Sequence, residues 1–589
     1  MRGLRADAAV GSAGTPASAR QAAGQQASGR AARGPVRSAL ASWWPVIACV
    51  LAEFLIGGYR ISRPSFWRDE AATISGSRRP VGAVFALMSH QDAVHGPYYL
   101  LMHAVIAIGG TSETVLRLPS LIAMSLAAGC TAALARRLAA GCGLPAPAGV
   151  GVLAGLALAA VPLSTRYAQE ARPYALTSLF AVAATYLLVR AAASGRWPGW
   201  AGYAAALTLT AWFNLFAVLL AVAHGASLFV ARARAGADDK AEVDAPGGEQ
   251  SSPDIPVAPG LPVAPGFPVG GGISGAPGFP VGAGIPVAAA ALRRWLVACS
   301  VTAALVAPVA VVSLRQSAQL NWVTVPDLST VASLIRDFAG ALVAIPVIAL
   351  LGLLGCVAGP GLRRGAGLTP AVIALPWLIV PPVALLAVSF ADPVYVERYV
   401  VFCLPAMAVL VAAGLVWLAD LVAREAHRRE LPARRVRLLA AIPSVVLAVA
   451  VTSAVVGPQS AIRLPSARAD NLRAVAAVLA GHERPGDAIL YLPWDTALAG
   501  MAYPKPYASL RNIGLGQSPV ASDTLRGLPA SPRVVAGRLR GVARVWTVQW
   551  TPVLPSAAPA STGGLGAAGL RLVRRWHIQS VVLSLYAKR

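Results

Sequence analysis

Three short polar stretches interrupt a chain that is otherwise apolar, and their residue types suit proton transfer beside a bound anion. The first, SFWRDEA (65–71), sets two adjacent carboxylates, Asp69 and Glu70, behind an aromatic pair, and Arg78, Arg79, His95 and Tyr98 follow. The second, RYAQEARPY (166–174), carries Gln169, Glu170 and Arg172; the third, DPVYVERY (392–399), carries Glu397, Arg398 and Tyr399. A carboxylate beside a membrane can take the proton of a hydroxyl as that hydroxyl attacks carbon. Arginine offers paired donors matched to a phosphate. Each stretch also has a plain structural reading. An acidic pair is commonly a solvated feature, arginines anchor loops at headgroups, Glu170 and Arg172 can pair with each other, and residues before a helix serve as caps. His90, Asp92 and His95, with Asp69 or Glu70, supply ligand types for a divalent metal, yet no HxxxH spacing enforces one. The metal question stays open, and no other cofactor is implied.

The elements that must position these groups are membrane helices. The 589 residues are 56% hydrophobic and 13% charged, with a mean hydropathy of +0.62, which excludes a set of soluble domains. The net charge of +25 does not point to nucleic acid, because the arginines sit mainly in short loops between apolar runs, where they orient helices. Apolar segments near 40–58, 117–135, 147–163, 174–192, 199–212, 213–231, 292–313, 338–358, 369–390, 399–422 and 436–457 give about eleven expected spans. Arg136/Arg137, Arg190/Arg196, Arg232/Arg234, Arg293/Arg294, Arg363/Arg364 and the basic block at 424–437 then fall on the cytoplasmic side. The three polar stretches independently fall on the outer side. The first outer loop is itself rich in arginine, which the charge rule would not choose for an exterior segment; a long loop can translocate regardless, and cations there can serve an anion. Residues 95–110 are expected as a helix at the interface. The six cysteines form neither a disulfide framework nor a CxxC site.

The domain plan follows. Residues 1–37, with six arginines against the single acid Asp7, read as a disordered cytoplasmic tail and not as a cleaved signal. A membrane module spans 38–234 and contains the first outer loop at 59–116. Residues 235–288 pass from an acidic patch into a Pro/Gly/Val repeat, read as a cytoplasmic linker. A second helix set covers 289–457. The remainder, 458–589, reads as a small exterior α/β domain, with a helix in ARADNLRAVAAVLAG and strands in DAILYLP, RVWTVQW and SVVLSLY.

At these residues the chain resembles the GT-C superfamily of membrane glycosyltransferases, in the branch of the protein O-mannosyltransferases and the lipid A aminoarabinose transferase (glycosyltransferase family 39-like). The resemblance is carried by FWRDEA, HGPYYLLMH, LRLPS, YAQEARPYAL and ERYVVFCLPAMAVL, in that order, across most of 40–420. It implies an all-α polytopic membrane fold. It further implies a polyprenyl-phosphate-linked sugar donor, a cell-envelope glycan, glycolipid or protein acceptor on the outer face, and inversion at the anomeric carbon. Asp69 matches the family's first-loop base and Glu70 its acidic neighbour. The sugar is expected to be mannose- or arabinose-like. The chain departs from the O-mannosyltransferases in showing no large outer domain between its middle helices, which puts a protein acceptor in doubt. The competing reading is a transporter or flippase, which would be expected to show inverted repeats and broken helices meeting at the membrane midplane. A scaffold binding wall polymers is a third.

Overall fold

The computed structural model describes residues 35–243, 285–358, 367–551 and 563–588. The expected tail at 1–37 lies almost wholly outside them, as does most of the Pro/Gly segment. Where that segment is described, the helix Leu219–Val243 continues past its expected start at 235. At its far end Ile285 bridges Leu368 through two backbone hydrogen bonds.

Among the described residues seven helices are long and apolar enough to cross a membrane, or nine if each of two bent pairs is one span. The expected figure of about eleven rested on apolar length alone, with ~20 residues per span. Pro35–Gly58 and Trp197–Phe213, also expected as spans, are helices too; the second has 17 residues, which reach about 25 Å. Proline and glycine make the bends. Pro147–Ala160 and Pro162–Ala168 meet at 69°, and Leu328–Ala339 and Leu342–Val357 at 76°, the latter across Gly340 in the left-handed region. The helix Glu113–Gly141 carries Arg117 near one end and Arg137 near the other, about 30 Å apart and so roughly one hydrocarbon thickness.

Close helix contacts are made where side chains are missing. A Cβ on Gly414, in Leu404–Arg428, would lie 2.0 Å from the Leu351 carbonyl oxygen of Ile345–Val357, and one on Gly355 would lie 2.1 Å from that of Leu410. Lipid offers no hydrophobic drive for helix association, so small residues that bring backbones together do this work.

The C-terminal region is a mixed sheet flanked by helices. Strands Ala488–Tyr491, Arg544–Trp550 and Val581–Ala587 are those expected, and Arg571–Ile578 and Arg511–Asn512 complete the five. Ala488–Tyr491 runs parallel to Arg544–Trp550, while Val581–Ala587 is antiparallel to Arg544–Trp550 and to Arg571–Ile578. The helix Leu472–His482 starts at Asn471, whose side chain accepts from Ala474 N–H at 3.1 Å, and buries Leu472, Val475, Ala476 and Leu479, one face at helical spacing. That face does not close a separate core. Leu472, Val475 and Trp546 pack with Phe66, Ile74 and Tyr99 of the first loop, so the loop and the C-terminal region share one interior.

Candidate active site

Asp69 and Glu70 lie in the first turn of the helix Arg68–Ser77 and face different surroundings. Both Glu70 carboxylate oxygens accept from Arg117, Oε1 from Nε and Oε2 from Nη2, each at 2.8 Å. Oε1 also accepts from Ala171 N–H at 3.0 Å. The remaining Arg117 donors reach the carbonyls of Ile61, Pro64 and Ser65. Both side chains are fully buried. Glu70 therefore stitches the first loop to the second polar stretch, and it has no face toward a substrate.

Asp69 retains 19% of its side-chain surface. Its neighbour Arg68 is clamped to Asp470 of the C-terminal region by a bidentate pair at 2.8 and 2.7 Å, with Arg68 N–H donating at 3.0 Å, and its guanidinium lies over Trp550. The peptide before Asp69 is thus fixed from outside the membrane domain.

All three polar stretches meet at Asp69. Arg172 Nη1 lies 3.5 Å from the Asp69 carbonyl, and Arg398 Nη2 lies 3.8 Å from Asp69 Oδ2. That oxygen is buried and has no hydrogen-bond partner in the protein, as have Arg172 Nε and Arg398 Nε. Arg398 lies over the rings of Trp322 and Tyr399, and Tyr399 neighbours Tyr174. Behind Arg172, His95 receives its Nη2–H at 2.7 Å and is in turn held by Asp92 at 2.6 Å. Burial alone would raise the Asp92 carboxyl, but His95 and Arg172 hold it well below its ordinary range. Burial and then Arg172 push the His95 imidazole down. The result is a vestibule in which the Asp69 carboxylate faces the Arg398 guanidinium while the Arg172 guanidinium reaches the Asp69 backbone carbonyl, each side chain keeping an unused donor or acceptor. Such a place can bind an anion and accept a proton within one site.

The other expected site residues are placed differently. Arg78 is exposed at the end of the helix Arg68–Ser77. Arg79 is turned into the protein, donating to the carbonyls of Ser75 and Thr524, so it ties the loop to the C-terminal region. Tyr98 is fully buried in the shared core. Gln169 donates to the carbonyls of Gly57 and Tyr59, closing the end of the first helix, where carbonyls lack helical partners. Glu170 is fully buried beneath the site, with Arg166 Nε at 3.9 Å and Arg468 Nε at 3.8 Å but no hydrogen bond to either oxygen. Burial raises its carboxyl against the pull of these two arginines. Glu397 faces Arg166 and Tyr167 electrostatically.

Among the described residues no three His, Cys, Asp or Glu side chains gather as a metal-binding group. His90 is exposed and turned toward Asp523, away from Asp92 and His95. These residues do not fit a metal site, and no step below uses one. Sequence reasoning missed Arg117, Arg468, Asp470 and Trp322. Arg117 left a trace, a charge inside an apolar helix, where ionisable groups are functional by default.

A family model described as dolichyl-phosphate-mannose-protein mannosyltransferase matches residues 95–237. No curated protein matches the chain. Among solved structures, ArnT from Cupriavidus metallidurans in the apo state is 13% identical, with 92% of this chain and 98% of that one covered, at a TM-score of 0.52. The same protein bound to undecaprenyl phosphate is 14% identical over 92% and 97%, again at 0.52. An Archaeoglobus fulgidus oligosaccharyltransferase, 12% identical over 86% and 69%, reaches only 0.45. At such identities the likeness is one of fold. The chain is a multi-pass membrane protein that shares the fold of ArnT.

Proposed function

We propose that this protein is an inverting glycosyltransferase that moves a mannose- or arabinose-like sugar from a polyprenyl-phosphate donor to a cell-envelope acceptor. The observation that carries the reading is Asp69, with Arg398 3.8 Å from its unbonded Oδ2 and Arg172 3.5 Å from its backbone carbonyl. The acceptor hydroxyl oxygen forms a bond to the anomeric carbon as the bond from that carbon to the donor phosphate oxygen breaks. The bond's electron pair leaves on the phosphate, and the hydroxyl proton passes to Asp69. The products are the glycoside and polyprenyl monophosphate. Phosphate needs no acid to leave, but it gains negative charge as it goes. Fixed cations in a site with little water stabilise that charge far better than in solution, and Arg172 and Arg398 supply them. A single displacement from the face opposite the phosphate inverts the anomeric centre.

Two of the comparisons support the donor class: the matching family model is named for a dolichyl-phosphate-mannose donor, and the ArnT of this fold was solved with undecaprenyl phosphate. The sidedness is likewise our reading. The loop arginines put the N-terminus in the cytoplasm and the vestibule with the C-terminal region outside. The test is to incubate the purified protein with labelled polyprenyl-phospho-mannose and polyprenyl-phospho-arabinose, and to follow release of polyprenyl monophosphate with and without cell-envelope glycan. Enzyme-dependent consumption of either donor is the expected result. Intact donors moved across a vesicle bilayer would instead mark a flippase.

A further inference from the structure

We propose that His95 is a positioning residue, coupling Asp92 to Arg172 so that the guanidinium is fixed at the vestibule and is let go when the imidazole takes up a proton. The inference rests on the reading of Arg172 as a phosphate ligand and adds a control to that site.

The hydrogen-bond chain settles the state of the ring. Arginine cannot accept and an ionised carboxylate cannot donate. Hence His95 Nδ1–H donates to Asp92 Oδ1, at 2.6 Å, and Nε2 accepts from Arg172 Nη2, at 2.7 Å. Tyr99 O–H donates to the other Asp92 oxygen. The imidazole in this chain is neutral, and its tautomer is dictated from both sides.

The segment is held firmly. Asp92 adopts φ 61° and ψ 37°, a left-handed conformation uncommon outside glycine. Such a residue persists where its surroundings over-determine it. Here Gln316, at the end of the helix Ala291–Arg315, accepts from Ala93 N–H and donates to the Met88 carbonyl, both at 2.9 Å, so it grips the turn on each side of Asp92. His95 and Asp92 expose 14% and 13% of their side chains. The charged groups facing the ring are Asp92 on its own turn, Arg172 from the second polar stretch and Asp69 from the first-loop helix, with the Tyr99 hydroxyl on Asp92.

A protonated ring would carry hydrogen on both nitrogens and could not accept from Arg172. Two cations would then face each other in a poorly hydrated place, and the guanidinium, having lost its acceptor, would leave. Burial and then Arg172 push the imidazole down against the pull of Asp92, so the release belongs to the acid side.

The experiment measures binding of undecaprenyl monophosphate to the full chain in detergent, by isothermal titration between pH 5 and pH 8. It uses wild type, His95→Gln, His95→Ala and Arg172→Ala. The lipid phosphate has its own ionisation at a pKa of about 6, which affects every variant alike, so the comparison between proteins is the readout. Wild type should lose about 10-fold more affinity on acidification than His95→Gln, the scale of one hydrogen bond to a charged group. His95→Gln, whose amide oxygen still accepts from Arg172, should bind more weakly than wild type but without the extra acid-side loss. His95→Ala and Arg172→Ala should both bind weakly across the range. An acid-side loss in His95→Gln equal to that of wild type would overturn the inference while leaving the donor class intact. Wild-type affinity in Arg172→Ala would overturn it as well. No binding by wild type at any pH would sink the lipid-phosphate reading and this inference together.

Discussion

Asp69 and Glu70 are neighbours in sequence, yet Glu70 has both oxygens bound by Arg117 at 2.8 Å while Asp69 keeps an unbonded oxygen 3.8 Å from Arg398. One helix turn thus divides an acidic pair into a structural carboxylate and a free one. The division matters for the chemistry, because a base needs a lone pair that nothing in the resting protein occupies.

Glu70→Gln should behave as a folding lesion. The amide leaves Arg117 charged and fully buried without its counter-ion, and breaking one partner of such a pair costs about 3–5 kcal/mol. Thermal denaturation of the detergent-purified variant should show a clear fall in midpoint and in recoverable monodisperse protein. A midpoint equal to that of wild type would mean that the pair does not hold the loop.

Glu170 gives a pH signature. Its carboxyl is raised in the folded protein by burial, so the native state binds its proton more tightly than the unfolded chain does. Its contribution to stability is then complete below the ordinary glutamate range and is lost as pH rises through the folded value. The stability difference, wild type minus Glu170→Gln, should fall as the pH of a thermal series is raised from 4 to 8. A difference that grows with pH would show that Arg166 and Arg468 prevail and hold the carboxyl down.

Gly414→Ala should loosen the packing of the helix Leu404–Arg428 on Ile345–Val357. Its new Cβ meets the Leu351 carbonyl at 2.0 Å, and backbone cannot swing aside as a side chain can. Overpacking of this kind costs about 1–3 kcal/mol. Alanine at Gly352, where a Cβ meets nothing within 4 Å, is the control and should leave the melting midpoint unchanged.

The helices and the three polar stretches were legible in the sequence because membrane spans announce themselves by apolar length, and because the chain has few charges outside its loops. The three main C-terminal strands were legible through their β-branched and aromatic runs. The site was legible only as a location. Nothing in DE tells which acid is buried, since that depends on Arg117, 47 positions away. Arg79 looked like a phosphate ligand by type and became a tie to Thr524, because the C-terminal region folds back onto the first loop. That return was hidden as well: Asp470 and Arg468 lie about 400 and 300 positions from their partners, Arg68 and Glu170, and no local pattern records a contact at such a separation. His95 and Asp92 carried ligand-type side chains, but nothing local to them records that they bond to each other and to Arg172, 77 positions on from His95.

The most direct measurement is a single-turnover assay with labelled polyprenyl-phospho-sugar, comparing wild type with Asp69→Asn after confirming by titration that both bind undecaprenyl monophosphate. Asp69→Asn should bind the lipid phosphate and transfer sugar about 100-fold or more slowly, the usual contribution of a general base. Transfer by Asp69→Asn at the wild-type rate would contradict the account.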